Sequence, residues 1–236
     1  MKITAFNGSP KGESSNTHVM VTAFLKGAEA AGAEIENIFL ANKEINHCKG
    51  CLYCMTPGGY CRIKDDMQEL LSKFIESDVV VLATPLYIHT VSGMLKVFMD
   101  RTFCLGNPVL EKNEDGEYQD SKSKHFKNGM PPKIVVISNA GRPDRSNFHA
   151  ISMLMKLFAK GFHTEVIAEI YATEGGLLTA GVKQLEPIIN SYQEILDKAG
   201  REIVANKKLS EETQKSLKKN FVPAEIYVQQ VNKHFS

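Results

Sequence analysis

The sequence contains no apolar run long enough to cross a lipid bilayer, and it carries almost no net charge. Its first segment, MKITAFNGSP, turns polar at Asn7 without the apolar core of a signal peptide, and no segment approaches the roughly 20 apolar residues of a membrane-spanning helix. The formal net charge of +1 offers no basic footprint for nucleic acid or for an anionic membrane. We therefore expect a cytoplasmic protein with small-molecule partners, and neither a nucleic acid nor a membrane among them.

The size and composition are those of an ordinary globular chain. With 236 residues, 43% of them hydrophobic and 23% charged, the chain can form one large domain or one domain with an appendage. Cytoplasmic thiols are kept reduced, so clustered cysteines there indicate metal binding or redox chemistry before disulfides.

Four of the five cysteines lie close together in the segment 47–61, with the spacing Cys-x2-Cys-x2-Cys-x6-Cys. Two consecutive x2 gaps are typical of iron-sulfur cubanes, whereas structural zinc sites more often use two well-separated pairs. A 4Fe-4S cluster is therefore the leading metal hypothesis, with zinc, a redox-active thiol pair and ordinary reduced cysteines as alternatives. The candidate ligands are Cys48, Cys51, Cys54 and Cys61. We interpret Cys104, which lies outside the motif, as a small buried hydrophobe.

Short apolar runs alternate with amphipathic segments along the chain. The runs are nearly continuous in Val and Ile, as expected of strands buried on both faces. The alternation predicts a doubly wound α/β fold with a parallel sheet, whose ligands sit at the carboxyl ends of the strands. The predicted strands are 2–6, 34–40, 78–84, 133–139 and 165–173, and the later helices are 93–103, 147–160 and 184–204.

The loop after the first strand, residues 7–18, combines glycines, hydroxyl and amide side chains and one lysine directly before a helix. Those residue types suit a phosphate cradle at a helix N-terminus. The loop is neither a Walker loop nor a Gly-x-Gly-x-x-Gly fingerprint. The alternative is a polar connection that ends in a Ser or Asn N-cap.

Two further loops follow strands at the same predicted edge. After the third strand comes TPLYIHTVSGMLKVFMDR, where the Tyr87 ring could support a flat aromatic ligand. After the fourth comes SNAGRPDRSNF, where Gly141 lets the backbone approach a ligand closely.

Four motifs together carry a family resemblance: NGSPKGESSNT, the cysteine motif followed by DDM, TPLYIHTVSGMLKVFMDR, and FVPAEIYVQQVNKHF at 221–235. The chain resembles the flavodoxin-like NADPH-dependent FMN reductase family, in particular its iron-sulfur flavoprotein branch, over nearly its whole length. The resemblance implies a five-stranded sheet in the order 2-1-3-4-5, with FMN at the switch point and NAD(P)H as electron donor. It also implies a homo-oligomer, a homodimer or homotetramer.

Site residues carry over from the resemblance by position. The FMN phosphate would be held by Ser9, Lys11, Ser15, Asn16 and Thr17. The isoalloxazine would be lined by Pro85, Leu86, Tyr87 and Ile88, and its edge completed by Asn139, Ala140 and Gly141. Because hydride transfer to flavin requires no acid-base side chain, we name no catalytic residue.

Two segments extend the minimal fold. Residues 104–132 form a long polar insertion, predicted to be an irregular lid or oligomer contact. Residues 207–236 form a helical extension, with a Ser210-capped helix and a helix started by Pro223, which leaves 1–206 as the FMN-binding domain.

The sequence leaves three functions open. The first is an FMN-dependent NAD(P)H oxidoreductase that passes electrons to a quinone-like acceptor, with or without the cluster. The second is an electron carrier with ferredoxin-like partners, and the third is a cluster-free thiol or zinc redox-sensing module. Because the cysteine loop follows the second strand, we expect it near the flavin edge.

Overall fold

The computed structural model describes residues 1–126 and 130–236. A five-stranded parallel sheet forms its centre, in the order β2-β1-β3-β6-β7. Its strands are β1 (Lys2–Asn7), β2 (Glu34–Phe39), β3 (Val79–Pro85), β6 (Lys133–Asn139) and β7 (Val166–Ala172). The predicted order 2-1-3-4-5 is confirmed, because the intervening β4 (Leu110–Lys112) and β5 (Tyr118–Asp120) pair only with each other.

Helices cover both faces of this sheet. They are α1 (Asn16–Ala30), α2 (Met67–Glu76), α3 (Gly93–Arg101), α4 (His149–Gly161), α5 (Glu186–Asn206), α6 (Glu211–Leu217) and α7 (Ala224–Phe235). None of the helices in the described ranges is long and apolar enough to cross a membrane.

The period-2 alternation of the central strand divides the core into two layers. In β3, Val79 and Val81 face a cluster that contains α1 and α5, whereas Val80 and Leu82 face α2, α3 and α4. All of β3 is buried, as expected of a parallel strand covered on both faces. The predicted flavodoxin-like, doubly wound architecture is therefore confirmed.

The insertion at 104–132 differs from the irregular loop predicted for it. It contains the end of a 3-10 turn (Thr102–Leu105) and then the antiparallel hairpin β4–β5. Strands of three residues are too short to show an alternating pattern, so they could not be predicted from hydrophobic periodicity. Residues 127–129 of the predicted insertion lie outside the described residues.

The C-terminal extension packs onto the main core. Leu209, Leu217 and Phe221 are buried in the same cluster as α1 and α5. Ser210 caps α6 as predicted, because its Oγ accepts a hydrogen bond from the N–H of Thr213 at 3.2 Å. Pro223 stands directly before α7, also as predicted.

Candidate functional site

Three loops meet at the carboxyl edge of the sheet. The N–H of Gly8, after β1, donates to the carbonyl of Ala83 in β3 at 2.7 Å. The N–H of Leu86, after β3, donates to the carbonyl of Asn139 in β6 at 2.8 Å. β1 is followed by its neighbour β2 on one side of this point and β3 by its neighbour β6 on the other, so the strand order reverses here. The loops therefore flank the crevice where doubly wound sheets bind ligands.

The loop after β1 ends in a helix N-terminus with unused donors. Ser15 is the N-cap of α1, and its Oγ accepts from the N–H of His18 at 3.0 Å. The N–H groups of Asn16 and Thr17 donate no hydrogen bond within the part of the chain that the structure describes. The first N–H groups of a helix have no intrahelical acceptor, so these two are available to an anion.

The five residues predicted to hold the phosphate surround this loop but differ in exposure. Ser9, Ser15 and Thr17 are buried, Asn16 is half-buried and Lys11 is exposed. The side-chain oxygens of Asn16 and Thr17 already accept hydrogen bonds, from Thr179 Oγ1 at 2.6 Å and Asn139 Nδ2 at 2.9 Å. An anion here would therefore meet backbone N–H groups more than free hydroxyls. The N-cap that we weighed as the alternative is present in the same loop.

Gly8 lets the loop lie directly on the start of α3. A Cβ at Gly8 would stand 2.7 Å from Leu95 Cβ and 3.1 Å from Ser92 Oγ. Ser92 Oγ also donates to the carbonyl of Gly8 at 2.6 Å. Only glycine permits this approach. Neither Ser92 nor Leu95 could be predicted as a neighbour of Gly8 from sequence, because the contact joins distant parts of the chain.

An unpartnered amide lies at the end of β1. Asn7 is fully buried, and its Oδ1 accepts from the N–H of Ser9 at 3.1 Å. Its Nδ2 has no hydrogen-bond partner among the described residues. Because buried donors are almost always satisfied, this atom marks a place for a polar ligand group.

The loop after β3 forms a strained turn at the mouth of the crevice. Tyr87 and Thr90 exchange two backbone hydrogen bonds of 3.0 Å, and between them Ile88 and His89 have φ values of 46° and 61°. A β-branched residue at positive φ costs about 1–3 kcal/mol and is most often found at functional sites. Ile88 is 91% exposed and Tyr87 is 45% exposed, whereas Pro85 is buried and Leu86 half-buried. The turn thus holds an apolar side chain and an aromatic ring at the surface.

The third loop is fixed by the C-terminal extension, which the sequence analysis did not connect with the site. Asn139 and Ala140 are buried, while Gly141 is exposed and its carbonyl accepts from Tyr227 Oη at 2.6 Å. Glu174, completely buried after β7, accepts the N–H groups of Phe221 and Val222 at 2.9 and 3.2 Å.

Together these features fit FMN. The free N–H groups at the start of α1 suit the phosphate of FMN, and the buried Asn7 amide suits the polar chain that joins the phosphate to the ring system. The exposed turn that carries Tyr87 suits the flat tricyclic ring.

The cysteine loop lies away from this edge. Its two ends, at Asn46 and Asp65, are bound to Arg101, the last residue of α3, whereas Ser92 at the start of α3 lies at the carboxyl edge. At 1.5 Å per helical residue, the two ends of α3 are about 14 Å apart. The two ends of the loop therefore lie about 14 Å from the carboxyl edge, rather than near it as its position after β2 led us to expect. The chain leaves that edge after β2 and follows α3 away from it.

The four clustered thiols are near one another but not gathered at one point. Cys48 and Cys51 are exposed, and Cys54 and Cys61 are half-buried. Burial raises the pKa of the Cys54 thiol, and the nearby Cys61, Cys48 and Cys51 sulfurs raise it further. Among residues 1–126 and 130–236, no three His, Cys, Asp or Glu side chains form a group that could hold a metal ion. Cys104 is half-buried rather than buried as predicted, and it packs against the core layer that contains α2, α3 and α4; burial raises its pKa to about 12.

A family model described as "NADPH-dependent FMN reductase" matches residues 1–120. An iron-sulfur flavoprotein of Archaeoglobus fulgidus is 36% identical over 145 residues, which are 61% of this chain and 58% of that protein. An iron-sulfur flavoprotein of Methanocaldococcus jannaschii is 42% identical over 102 residues, 43% of this chain and 52% of that protein. The chain thus spans little more than half the length of these relatives.

Solved structures share the fold at low sequence identity. An FMN-dependent NADH-azoreductase from Bacillus anthracis, in complex with FMN, superposes with a TM-score of 0.60 and 16% identity, over 86% of this chain and 99% of that one. An NAD(P)H:quinone oxidoreductase from Methanothermobacter marburgensis superposes with a TM-score of 0.58 and 16% identity, over 86% and 96%.

Proposed function

Because the chain belongs to the NADPH-dependent FMN reductase family, we propose that it is an FMN-dependent NAD(P)H oxidoreductase that delivers electrons to a quinone-like or similar small acceptor. The observation that carries the proposal is the meeting of the three loops at the carboxyl edge, joined by the Gly8 and Leu86 hydrogen bonds. The names of the structural neighbours, an NADH-azoreductase and a quinone oxidoreductase, are consistent with it.

The role of the residues at this edge is to bind FMN and to orient it. The N–H groups of Asn16 and Thr17 would hold the phosphate, with Ser9 beneath it and the Lys11 ammonium adding charge. The Tyr87–Thr90 turn would hold the ring system, with Pro85 and Leu86 behind it and the Asn139–Gly141 segment at its edge. Bound FMN supplies the hydride and electron chemistry, so positioning and exclusion of water are what the protein must provide.

We further propose that Cys48, Cys51, Cys54 and Cys61 hold a 4Fe-4S cluster. Two observations support it: Cys61, Cys48 and Cys51 lie near enough to Cys54 to raise its pKa, and relatives bear the name iron-sulfur flavoprotein. Thiolates are the ligands that such clusters require.

The subunits are proposed to form a homodimer or homotetramer, and a ferredoxin-like protein is a candidate partner. Exposed apolar side chains on α7, Ile226, Val228 and Phe235, support self-association. Light scattering of the purified chain measures the mass directly, and a monomeric mass would contradict the proposal.

The flavin site is tested by comparing two ligands. Replacing Ser9 by Ala and Asn16 by Pro, which removes the Asn16 N–H and is tolerated at the first position of a helix, should weaken FMN, which carries the phosphate, far more than riboflavin, which does not. Bonds to a charged phosphate contribute about 1.5–3 kcal/mol each, or roughly 10- to 100-fold in Kd. The measurement is a fluorescence titration with each ligand.

Ser14→Ala is the matched control, because Ser14 lies in the same loop and its exposed hydroxyl donates back to the Lys11 carbonyl. Equal losses for FMN and riboflavin in the double variant would place the phosphate elsewhere. Steady-state oxidation of NADPH and NADH by the FMN-loaded protein then separates the oxidoreductase from an electron carrier, for which no nicotinamide oxidation is expected.

A further inference from the structure

A cavity of about 230 Å³ lies at the free edge of the sheet, between β7 and α6. β7 is the last strand in the sheet order, so one of its two sides has no partner strand. The cavity is walled by residues 166–169 of that strand and, opposite them, by Leu209, Gln214 and Leu217. A water molecule takes up about 30 Å³ in the liquid, so the cavity has room for a group of several heavy atoms.

The half-buried cation of Arg145 lines this cavity without a counter-ion. Its Nη1 donates to the carbonyl of Tyr171 at 3.0 Å, and its side chain forms no ion pair with any carboxylate of residues 1–126 and 130–236. Burial lowers the pKa of Arg145, and the groups that raise it again are the phenols of Tyr192 and Tyr171. Burial raises the pKa of both phenols, so neither is negatively charged at neutral pH. A charge that is partly removed from water is usually paired, and this one is not.

The carboxylate that lines the cavity, that of Glu169, is bound elsewhere. Its Oε1 accepts from Ser152 Oγ at 2.6 Å and from Tyr171 Oη at 3.1 Å, and its Oε2 lies 3.7 Å from Lys156 Nζ. Lys218 also lines the cavity, and its exposed ammonium has no partner in the part of the chain that the structure describes. The uncompensated charge at the cavity is therefore positive.

The free edge of β7 adds backbone donors. Successive residues of a strand turn their backbone groups to alternate sides, and the carbonyl of Ala172 faces β6, where it accepts from the N–H of Ala140. The backbone groups of Tyr171 and Glu169 therefore face the free edge, in agreement with the bond from Arg145 to the Tyr171 carbonyl. Sheet edges that present N–H groups form anion-binding concavities.

A buried hydroxyl near the same cation also lacks a partner. Tyr192 is buried against the Phe221 ring, and its Oη makes no hydrogen bond within the described residues. The Arg145 charge is close enough to lower the pKa of Tyr192 in part. Because buried polar atoms are almost always satisfied, this hydroxyl is a second sign that a polar group belongs here.

We propose that this cavity is a binding site for a small oxyanion, a phosphate or a carboxylate, held by the Arg145 guanidinium, the Lys218 ammonium and the N–H groups of the β7 edge. The planar fork of an arginine matches both kinds of oxyanion. A bound anion joins the edge of the sheet to α6 and so holds the C-terminal extension in place. None of the residues assigned to FMN lines the cavity, so the site is separate from the crevice and independent of the function proposed above.

The test locates the anion through backbone amides. The isotope-labelled full chain, with FMN in excess to occupy the crevice, is titrated with inorganic phosphate and separately with acetate at constant ionic strength, and nuclear magnetic resonance follows each amide. The amides of Glu169 and Tyr171 should shift and saturate with one of the two anions or with both, which also tells a phosphate site from a carboxylate site. Because bonds to charged groups are the strong ones, Arg145→Gln should weaken binding by about tenfold or more.

Arg142→Gln is the matched control. Arg142 lies in the same loop and carries the same charge, but it is exposed and does not line the cavity. Its loss should leave the affinity for the anion unchanged. If Arg145→Gln does not fold, Lys218→Gln decides the question, because this exposed side chain has no role in packing and its loss should also weaken binding.

Three outcomes would overturn the proposal. The first is the absence of a saturable shift at Glu169 and Tyr171 with either anion. The second is a shift at Asn16 and Thr17 alone, which would place the anion in the crevice. The third is the same affinity in the wild type, Arg145→Gln and Lys218→Gln, which would indicate an adventitious ion only. FMN binding is measured separately by fluorescence, so failure of one proposal leaves the other standing.

Discussion

At the scale of single residues, the carboxylate of Asp65 shows how burial and hydrogen bonding compete. Burial alone would raise its pKa, but the hydrogen bonds from Arg101 and from the N–H groups of Asn46 and Met67 lower it to about 2. The side chain is fully buried, so solvent does little to weaken these interactions. The ionised form of Asp65 is therefore part of the folded state.

The first prediction follows from this pKa. A carboxylate whose pKa is lower in the folded than in the unfolded chain stabilises the fold above the unfolded value of 3.8, and that contribution is lost as the pH falls toward 2. The difference corresponds to about 2 kcal/mol. Urea unfolding of the wild type at pH 6, 4 and 3 should show this loss. Asp65→Asn should have a lower free energy of unfolding than the wild type at pH 6, and its free energy of unfolding should depend less on pH below pH 4.

Asp115→Asn provides the comparison, since Asp115 is exposed in the β4–β5 turn. That variant should keep the wild-type dependence on pH. If the free energy of unfolding of the wild type and of Asp65→Asn changed with pH in the same way, the lowered pKa of Asp65 would be contradicted.

Residue chemistry could be predicted where it is local. The N-cap at Ser15 follows from the neighbouring sequence, which predicted a Ser or Asn cap before α1. The Arg101–Asp65 ion pair joins positions 36 residues apart, and no short sequence motif predicts such a contact. Asn7, whose Nδ2 has no partner among the described residues, was predicted only as the first residue of the loop 7–18.

At the scale of elements, α1 and α5 cross so closely that backbone meets backbone. A Cβ at Gly200 would collide with the Phe24 carbonyl in α1, and one at Gly27 would collide with the Asp197 carbonyl in α5. Each glycine thus admits the backbone of the other helix. The pattern of apolar residues predicted both helices, but not how closely they approach.

The second prediction concerns this crossing. Alanine favours a helix by about 1 kcal/mol over glycine, yet overpacking costs about 1–3 kcal/mol and more when the obstacle is backbone. Gly200→Ala should therefore lower the free energy of unfolding by about 1–3 kcal/mol in denaturant titrations. Gly161→Ala, at the end of α4 with no neighbouring atom within 4 Å, should be neutral or slightly stabilising. A stabilised Gly200→Ala would mean that the helices can separate freely.

Element boundaries reflect how long a pattern persists. Strands of six or seven residues were located closely, because an apolar run in Val and Ile has few other structural explanations. The hairpin in the insertion was missed, since its strands have three residues and no buried face. The strand order came from a family resemblance, because periodicity does not encode which strands are neighbours.

At the scale of the whole molecule, the C-terminal extension is bound to the flavin edge through two contacts. Glu174 receives the N–H groups of Phe221 and Val222, and Tyr227 binds the carbonyl of Gly141. Both contacts join loops of the sheet edge to the C-terminal extension, 47 and 86 residues later in the chain. The extension and the candidate FMN site are therefore mechanically connected.

The third prediction tests this connection. In Glu174→Gln the side chain loses its charge and one acceptor, and hydrogen bonds to a charged group contribute about 1.5–3 kcal/mol. Amides of Ala224–Phe235 should exchange hydrogen faster, while those of β3 remain protected, and FMN should bind more weakly. Glu225→Gln, an exposed carboxylate in α7, is the control. Identical exchange in both variants would show that Glu174 does not hold the extension.

The two ends of the cysteine loop are joined at Asn46 and Asp65, and this has a consequence for the protein when no metal is bound. Bringing four thiols to one point requires the chain between them to lose conformational entropy, and this cost is smaller when the two ends of the loop are already joined. Here they are joined by a 2.9 Å hydrogen bond from the N–H of Asn46 to Asp65 Oδ2. In zinc fingers the metal supplies the folding free energy, and chelation unfolds the domain. Here the ion pair and the two apolar layers hold the chain without any metal. Under the cluster proposed above, removal of its iron should leave a folded protein whose four cysteine sulfurs can bind iron again.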